Sequence, residues 1–234
     1  MTALHAEWIK TRTLRSQIGA LCAIPLTTVA FSALAGLDTE GADADPLFSA
    51  FFGVNFGQIA AIAFGTTALS SEFHGGALRV SLSAVPRRGR WFAAKLAMVA
   101  LPVLLVGLAT GLATAAMGSA LLPTAPSAAE SVRGALGCAV YLTLMALLAA
   151  GLTAVLRSGV ATLSILIPLL LIVSFVVGDL SGNAADFLPD RAGQVVLHST
   201  WDGILNAWTG LAVALLWVVA AVTAGAWRLH RRDA

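Results

Sequence analysis

Between Ser71 and Lys95 the chain reads SEFHGGALRVSLSAVPRRGRWFAAK, a polar and basic stretch set between two long apolar runs. Arg79, Arg87, Arg88 and Arg90 cannot sit in hydrocarbon, where each charged side chain costs about 2.5–3.5 kcal/mol even on lenient insertion scales. The stretch must face water, and the runs on either side need a different solvent. With 58% hydrophobic and 11% charged residues the chain lies beyond the roughly 45–50% apolar share of a soluble domain. Its mean hydropathy of +0.87 agrees. The fold class expected is therefore an all-α integral membrane protein, in which residues 1–234 form a single transmembrane domain.

Six apolar runs supply the expected transmembrane helices, at approximately 18–37, 47–69, 92–122, 134–156, 160–177 and 207–227. Ahead of the first, Leu4, Trp8 and Ile9 alternate with Glu7, Lys10, Arg12 and Arg15, the pattern of an amphipathic helix lying in the interface or of a basic tail. The first run also carries Ala33-Leu34-Ala35, a small-x-small match to a signal-peptidase site. Its polar N-terminal region is longer than signal peptides use, which favours a span. Asp38, Glu40, Asp43 and Asp45 make an acidic external loop whose spacing does not fit a calcium loop. Asn55 and Gln58, three apart in the second run, share a helix face that must look into protein or a cavity. Packing between helices and lining of a substrate path are both open for them.

Pro102 is expected to kink the third run or mark its entry, and Pro168 to bend the fifth. A short loop is expected from Pro123 to Arg133, and Arg157, Ser158 and Gly159 make a very tight turn. Before the last run, Gln194 to Leu205 (QVVLHSTWDGIL) mixes apolar residues with His198, Trp201 and Asp202. It either re-enters the interface or bundle or forms a surface loop with a short amphipathic helix. His198 has Asp190 and Asp202 nearby but no second histidine, so a metal site lacks support. Trp208 and Trp227 suit interfacial anchors. Cys22 and Cys138 fall inside apolar runs and behave as small hydrophobes, and the Gly107 and Gly111 spacing permits close helix approach.

Orientation follows from the cations. With six spans, twelve of the fourteen Lys and Arg residues fall on one side, and only Arg133 and Arg191 on the other. The positive-inside rule then places both termini, and the 71–95 stretch, in the cytoplasm of a multi-pass plasma-membrane protein. No P-loop, G-x-S-x-G, H-E-x-x-H or C-x-x-C motif is present, so neither ATP binding through a P-loop nor familiar catalytic chemistry is expected of this chain. No run carries the intramembrane acid or base of an ion-driven carrier, and no channel filter is evident. No cofactor, metal or nucleic acid is expected.

Glu72, Gly76, Leu78, Leu82, Pro86, Arg87 and Lys95 stand in a spacing that resembles the signature of ABC-2 type transporter permeases. The basic N-terminal segment, the six runs and the semi-apolar segment before the last one fit that family over essentially the whole chain. The resemblance implies a membrane subunit of an ATP-binding cassette exporter, paired with a second permease as homo- or heterodimer. ATP and Mg would be bound by a separate ATPase subunit. The second cytoplasmic loop, at Arg157 to Gly159, is shorter than the resemblance would suggest.

The residues themselves are consistent with a coupling helix. Leu78, Leu82 and Val85 fall at helical spacing, flanked by Arg79 and the Arg87, Arg88 and Arg90 cluster, and Pro86 should end the helix. The expected ATPase-coupling residues are thus Glu72, Leu78, Arg79, Leu82, Pro86, Arg87 and Arg88, with Glu72 paired to a nearby arginine or to the basic N-terminus. Binding of anionic lipid headgroups by the same arginines is compatible with docking. Mostly uncharged spans suggest a hydrophobic or amphipathic cargo: a drug, lipid, peptide or other natural product. The alternative function is a non-transporting membrane scaffold or sensor that holds a cytoplasmic partner on the basic loop.

Overall fold

The computed structural model describes residues 15–37, 45–73, 77–78, 87–173, 176, 182–201 and 203–231. The expected interfacial helix before Arg15, and the acidic residues Asp38, Glu40 and Asp43, lie outside the described residues. Every regular element among those described is helical: α1 (Arg15–Leu37), α2 (Pro46–Phe51), α3 (Val54–Ser70), α4 (Arg88–Leu121), α5 (Ala128–Leu156), α6 (Gly159–Pro168), α7 (Pro189–Gln194) and α8 (Ala207–Arg231). Short 3₁₀ turns at Ser71–Phe73, Gly182–Phe187 and Val195–Leu197 join them.

Four of these helices, α1, α4, α5 and α8, are long and apolar enough to cross a membrane. The other two expected spans are interrupted. The run 47–69 is divided at Phe52 and Gly53 into α2 and α3. There the chain presses against α1 so closely that a Cβ on Gly53 would fall 2.7 Å from the Ser32 nitrogen, and the Gly53 N–H donates to Ser32 Oγ at 3.0 Å. The run 160–177 is helical to Pro168 and then widens into a π turn, Leu169–Val173. Proline supplies no N–H to the preceding turn, and a π turn is one way a helix absorbs that loss.

Helix ends follow local chemistry. Asp45 caps α2 by accepting the Phe48 N–H at 3.0 Å, with Pro46 at the first helical position. The expected loop to Arg133 is shorter than the sequence reading had it: Ser127 and Glu130 form a reciprocal capping box that starts α5 at Ala128. The Ser127 hydroxyl, at 2.7 Å, and the Ser127 N–H, at 2.9 Å, both donate to Glu130 Oε2 and hold the Glu130 carboxyl below its usual range. At the other end Arg157 takes a left-handed φ of 57°, which stops the helix, and Ser158 caps α6 at once. The 157–159 turn is as tight as its sequence suggests.

The bundle is built around α5, of whose apolar window 72% is buried, against 39% for α4, 28% for α8 and 17% for α1. Small residues let its neighbours approach. A Cβ on Gly111 of α4 would fall 2.6 Å from the Ala135 carbonyl, one on Gly225 of α8 2.7 Å from the Ala154 Cβ, and one on Gly65 of α3 would meet the Ala146 carbonyl. In lipid, where helices gain nothing by hiding apolar surface from water, such close van der Waals packing supplies much of the association. Cys138 is buried and Cys22 exposed, both as free thiols. The segment 182–197 packs against α5 and α8: Ala192, Val195, Val196 and Leu197 are buried, and a Cβ on Gly137 would fall 2.6 Å from Val196.

Candidate functional site

Two polar regions lie at opposite ends of the bundle. At the basic end, α4 begins beside the end of α8, where Arg88 donates to the Leu229 carbonyl at 2.8 Å, and α5 ends with the Arg157 guanidinium 5.9 Å above the Phe73 ring. Here Glu72 and Lys95 form an ion pair of 2.9 Å with both side chains about 95% buried. Lys95 is a partner of Glu72 that the sequence did not single out; Arg79 and the residues before Arg15, among the expected partners, lie outside the described residues. The reason for the contact is geometric: Glu72 ends the descent of α3 inside the bundle, and Lys95, two turns into α4, faces the same interior. A buried charge needs a partner of opposite sign and further hydrogen bonds, because the desolvation cost is several kcal/mol per ion.

The remaining expected coupling residues separate into three groups. Leu78 is buried, in a cluster with Leu69, Trp91, Phe92 and Leu229 of this same chain. Arg87 and Arg90 are exposed and Arg88 is half-buried. Arg79, Leu82 and Pro86 lie outside the described residues, as does Val85.

At the opposite end a cavity of about 380 Å³ opens between three elements. Phe48, Phe52, Asn55 and Gln58 line it from α2 and α3, and Leu170 and Leu171 from the π turn. The segment before α8 contributes Asp190, Arg191 and Gln194 of α7, then His198 and Trp201. Asn55 and Gln58, which sequence reasoning placed on one face, therefore line the same space. Gln58 borders the cavity and also bonds across helices. Its Oε1 accepts a short hydrogen bond from Tyr141, whose hydroxyl in turn accepts from Gln194 Nε2 at 3.1 Å. Asn55 donates to the Phe52 carbonyl at 3.0 Å.

The cavity's outer wall is held by Asp45. Its Oδ2 lies 2.8 Å from His198 Nδ1, and Oδ1 accepts the Ser199 N–H at 2.9 Å as well as the Phe48 cap. The His198 ring stacks on Phe48 with centroids 4.3 Å apart, and Arg133 reaches the His198 carbonyl at 2.7 Å. Burial pushes the His198 pKa down, while the Asp45 carboxylate opposes that shift. The neutral ring is thereby favoured, with Nδ1 as donor to Asp45. Among the described residues no group of three His, Cys, Asp or Glu could hold a metal ion.

Sequence reasoning missed Tyr141, Gln194 and Asp45 as parts of this site. Tyr141 is the single tyrosine of the chain and sits in the middle of an apolar run, a buried hydroxyl that needs partners. Asp45 had the signal Asp-Pro before an apolar run, a helix start, but nothing in the sequence joins it to a histidine 153 residues later. No protein-family model matches the chain, and no curated protein matches it in sequence.

Proposed function

We propose that this chain is the membrane subunit of an ATP-driven exporter for a hydrophobic or amphipathic compound, resembling the ABC-2 type permeases and driven by a separate ATPase subunit. In this reading six helical passes cross the plasma membrane, the two interrupted ones included, with both termini and the basic end in the cytoplasm. Two permease subunits, identical or different, pair in the bilayer, and ATP and Mg are held by the partner ATPase.

The observation that carries the reading is the buried Glu72 and Lys95 ion pair. Its members flank the cytoplasmic 73–87 stretch, so a force on that stretch is delivered at once to the end of α3 and the start of α4. Both helices lead toward the opposite end, and α3 carries Asn55 and Gln58 of the cavity. Glu72 and Leu78, being buried, would act as positioning residues, whereas the exposed Arg87 and Arg90 are the groups free to meet an acidic patch on the ATPase or anionic lipid. Alternating access then means that ATPase closure shifts the bundle between arrangements that open the cavity to one side or the other.

Pull-down of the intact chain from its native membrane, read by mass spectrometry, tests this. An ATP-binding cassette ATPase should co-purify with the wild type and be lost from the Arg87→Glu/Arg90→Glu double variant. Recovery of a different cytoplasmic protein, with no ATPase, would return the chain to the scaffold or sensor class.

A further inference from the structure

The cavity holds a surplus of uncharged hydrogen-bonding groups. Gln58 is 2% exposed, and its Oε1 is engaged by Tyr141. Among the described residues its amide nitrogen makes no hydrogen bond, although it borders the space. Gln194 gives its nitrogen to the same hydroxyl, which leaves its carbonyl oxygen over. If both amides were turned about, the tyrosine would still use one function of each and leave the other. The Trp201 indole N–H is closed off from the space, against Gly203, but Asn55 borders it, and its side-chain oxygen has no donor among the described residues. Such groups, desolvated and unmatched, cost about 1–3 kcal/mol each unless a ligand or water satisfies them.

The space is therefore bordered by one unused donor, the Gln58 N–H, and by two unused acceptors, the Gln194 and Asn55 oxygens. Phe48, Phe52 and two leucines of the π turn supply apolar lining. The two charged residues that border the space, Asp190 and Arg191, are of opposite sign. An anion or a cation would enter with no net counter-charge from them in a partly desolvated site, which is costly. A head that both donates and accepts, and carries no charge, meets these three groups.

We propose that the cavity binds a neutral amphipath through an amide group, the amide oxygen taking the Gln58 N–H donor and the amide N–H facing the Gln194 or Asn55 oxygen, with the apolar body on Phe48, Phe52 and the π turn. The volume of about 380 Å³ suits a head of peptide-like size and falls in the ordinary range for small-molecule sites. This deepens the exporter reading, on which it rests in taking the cavity as part of the cargo path.

The test titrates the full chain in lipid nanodiscs, by calorimetry, with three probes that share one alkyl chain: N-octanoylglycinamide, N-octanoylglycine and octyltrimethylammonium. Empty nanodiscs correct for partition into lipid. The neutral amide should bind saturably and at least about tenfold more tightly than either charged probe, the worth of one or two hydrogen bonds. Asn55→Leu, which removes one acceptor, should weaken it by about threefold, and Gln58→Leu by about tenfold. Thermal unfolding of each variant shows whether it is folded, and if Gln58→Leu is not, Asn55→Leu carries the test. Equal affinity for the three probes, no saturable binding, or folded variants that bind the amide like wild type would overturn the proposal. Selective amide binding by a chain that recruits no ATPase would defeat the exporter reading alone. Loss of selectivity with the ATPase still bound would defeat this proposal alone.

Discussion

The two ends of the bundle bury polar groups by opposite means. At the basic end one full charge meets another, Glu72 against Lys95 at 2.9 Å, beside an apolar cluster of Leu78, Trp91, Phe92 and Leu229. At the far end the neutral Gln58, Tyr141 and Gln194 relay borders an open space of about 380 Å³, beside the buried carboxyls of Asp186 and Asp190. An ion pair sealed in protein is stiff, since separating it exposes two uncompensated charges. A neutral relay beside a cavity can exchange partners at small cost. The first arrangement suits a joint that must move as a unit, and the second a surface that must accept and release a ligand.

Breaking the joint should have the largest effect on the fold. Lys95→Met or Glu72→Leu alone removes one charge of the buried 2.9 Å contact and should destabilise by about 3–5 kcal/mol, read as a lowered midpoint of thermal unfolding in detergent. The double variant Glu72→Leu/Lys95→Met should recover most of that loss, because two buried charges are removed together. If the double is as unstable as the sum of the singles, the two residues do not act as a pair.

Next comes the relay. Tyr141→Phe leaves one function of Gln58 and one of Gln194 without its partner and should cost about 1–3 kcal/mol, less than loss of the ion pair. A smaller and pH-dependent effect is expected at the outer wall. The His198 pKa lies below its unfolded value, so between the two the unfolded chain binds more protons and stability rises with pH. The contribution is present above the ordinary imidazole pKa of about 6.5 and is lost as acid carries the pH down toward the folded value. His198→Asn should flatten that acid-side slope in a series of unfolding curves. Smallest of all, Arg87→Ala changes an exposed side chain and should leave thermal stability within about 0.5 kcal/mol, so any functional loss there reports on a partner and not on the fold.

What the sequence made legible divides along the same line. Hydropathy located the four helices long and apolar enough to cross a membrane, and Asn55 and Gln58 were singled out because two amides on one helix face in an apolar run demand a polar environment. The interruptions at Gly53 and after Pro168 were not legible as breaks in helix type. One depends on how closely α1 approaches, and the other on which of several responses to a missing N–H the surroundings permit. The capping box at Ser127 and Glu130 was written in the sequence as S-x-x-E and overlooked. The Glu72 and Lys95 contact was beyond reach, since five basic residues stand within 23 positions and only the packing of α3 against α4 brings Lys95 to it. The Asp45 and His198 contact, like Tyr141 with Gln194, joins residues that no local pattern relates.

The proposed role of the ion pair, to relay a partner's motion to the cavity, is tested most directly by ATP turnover in the chain purified with the ATPase proposed as its partner, with and without N-octanoylglycinamide. Glu72→Gln keeps the shape and a hydrogen-bonding group beside Lys95 while removing the charge, and leaves Arg87 and Arg90 untouched. The account predicts that the variant still holds the ATPase but that its turnover no longer responds to the amide, whereas wild-type turnover does. A Glu72→Gln complex that responds as strongly as wild type would contradict it.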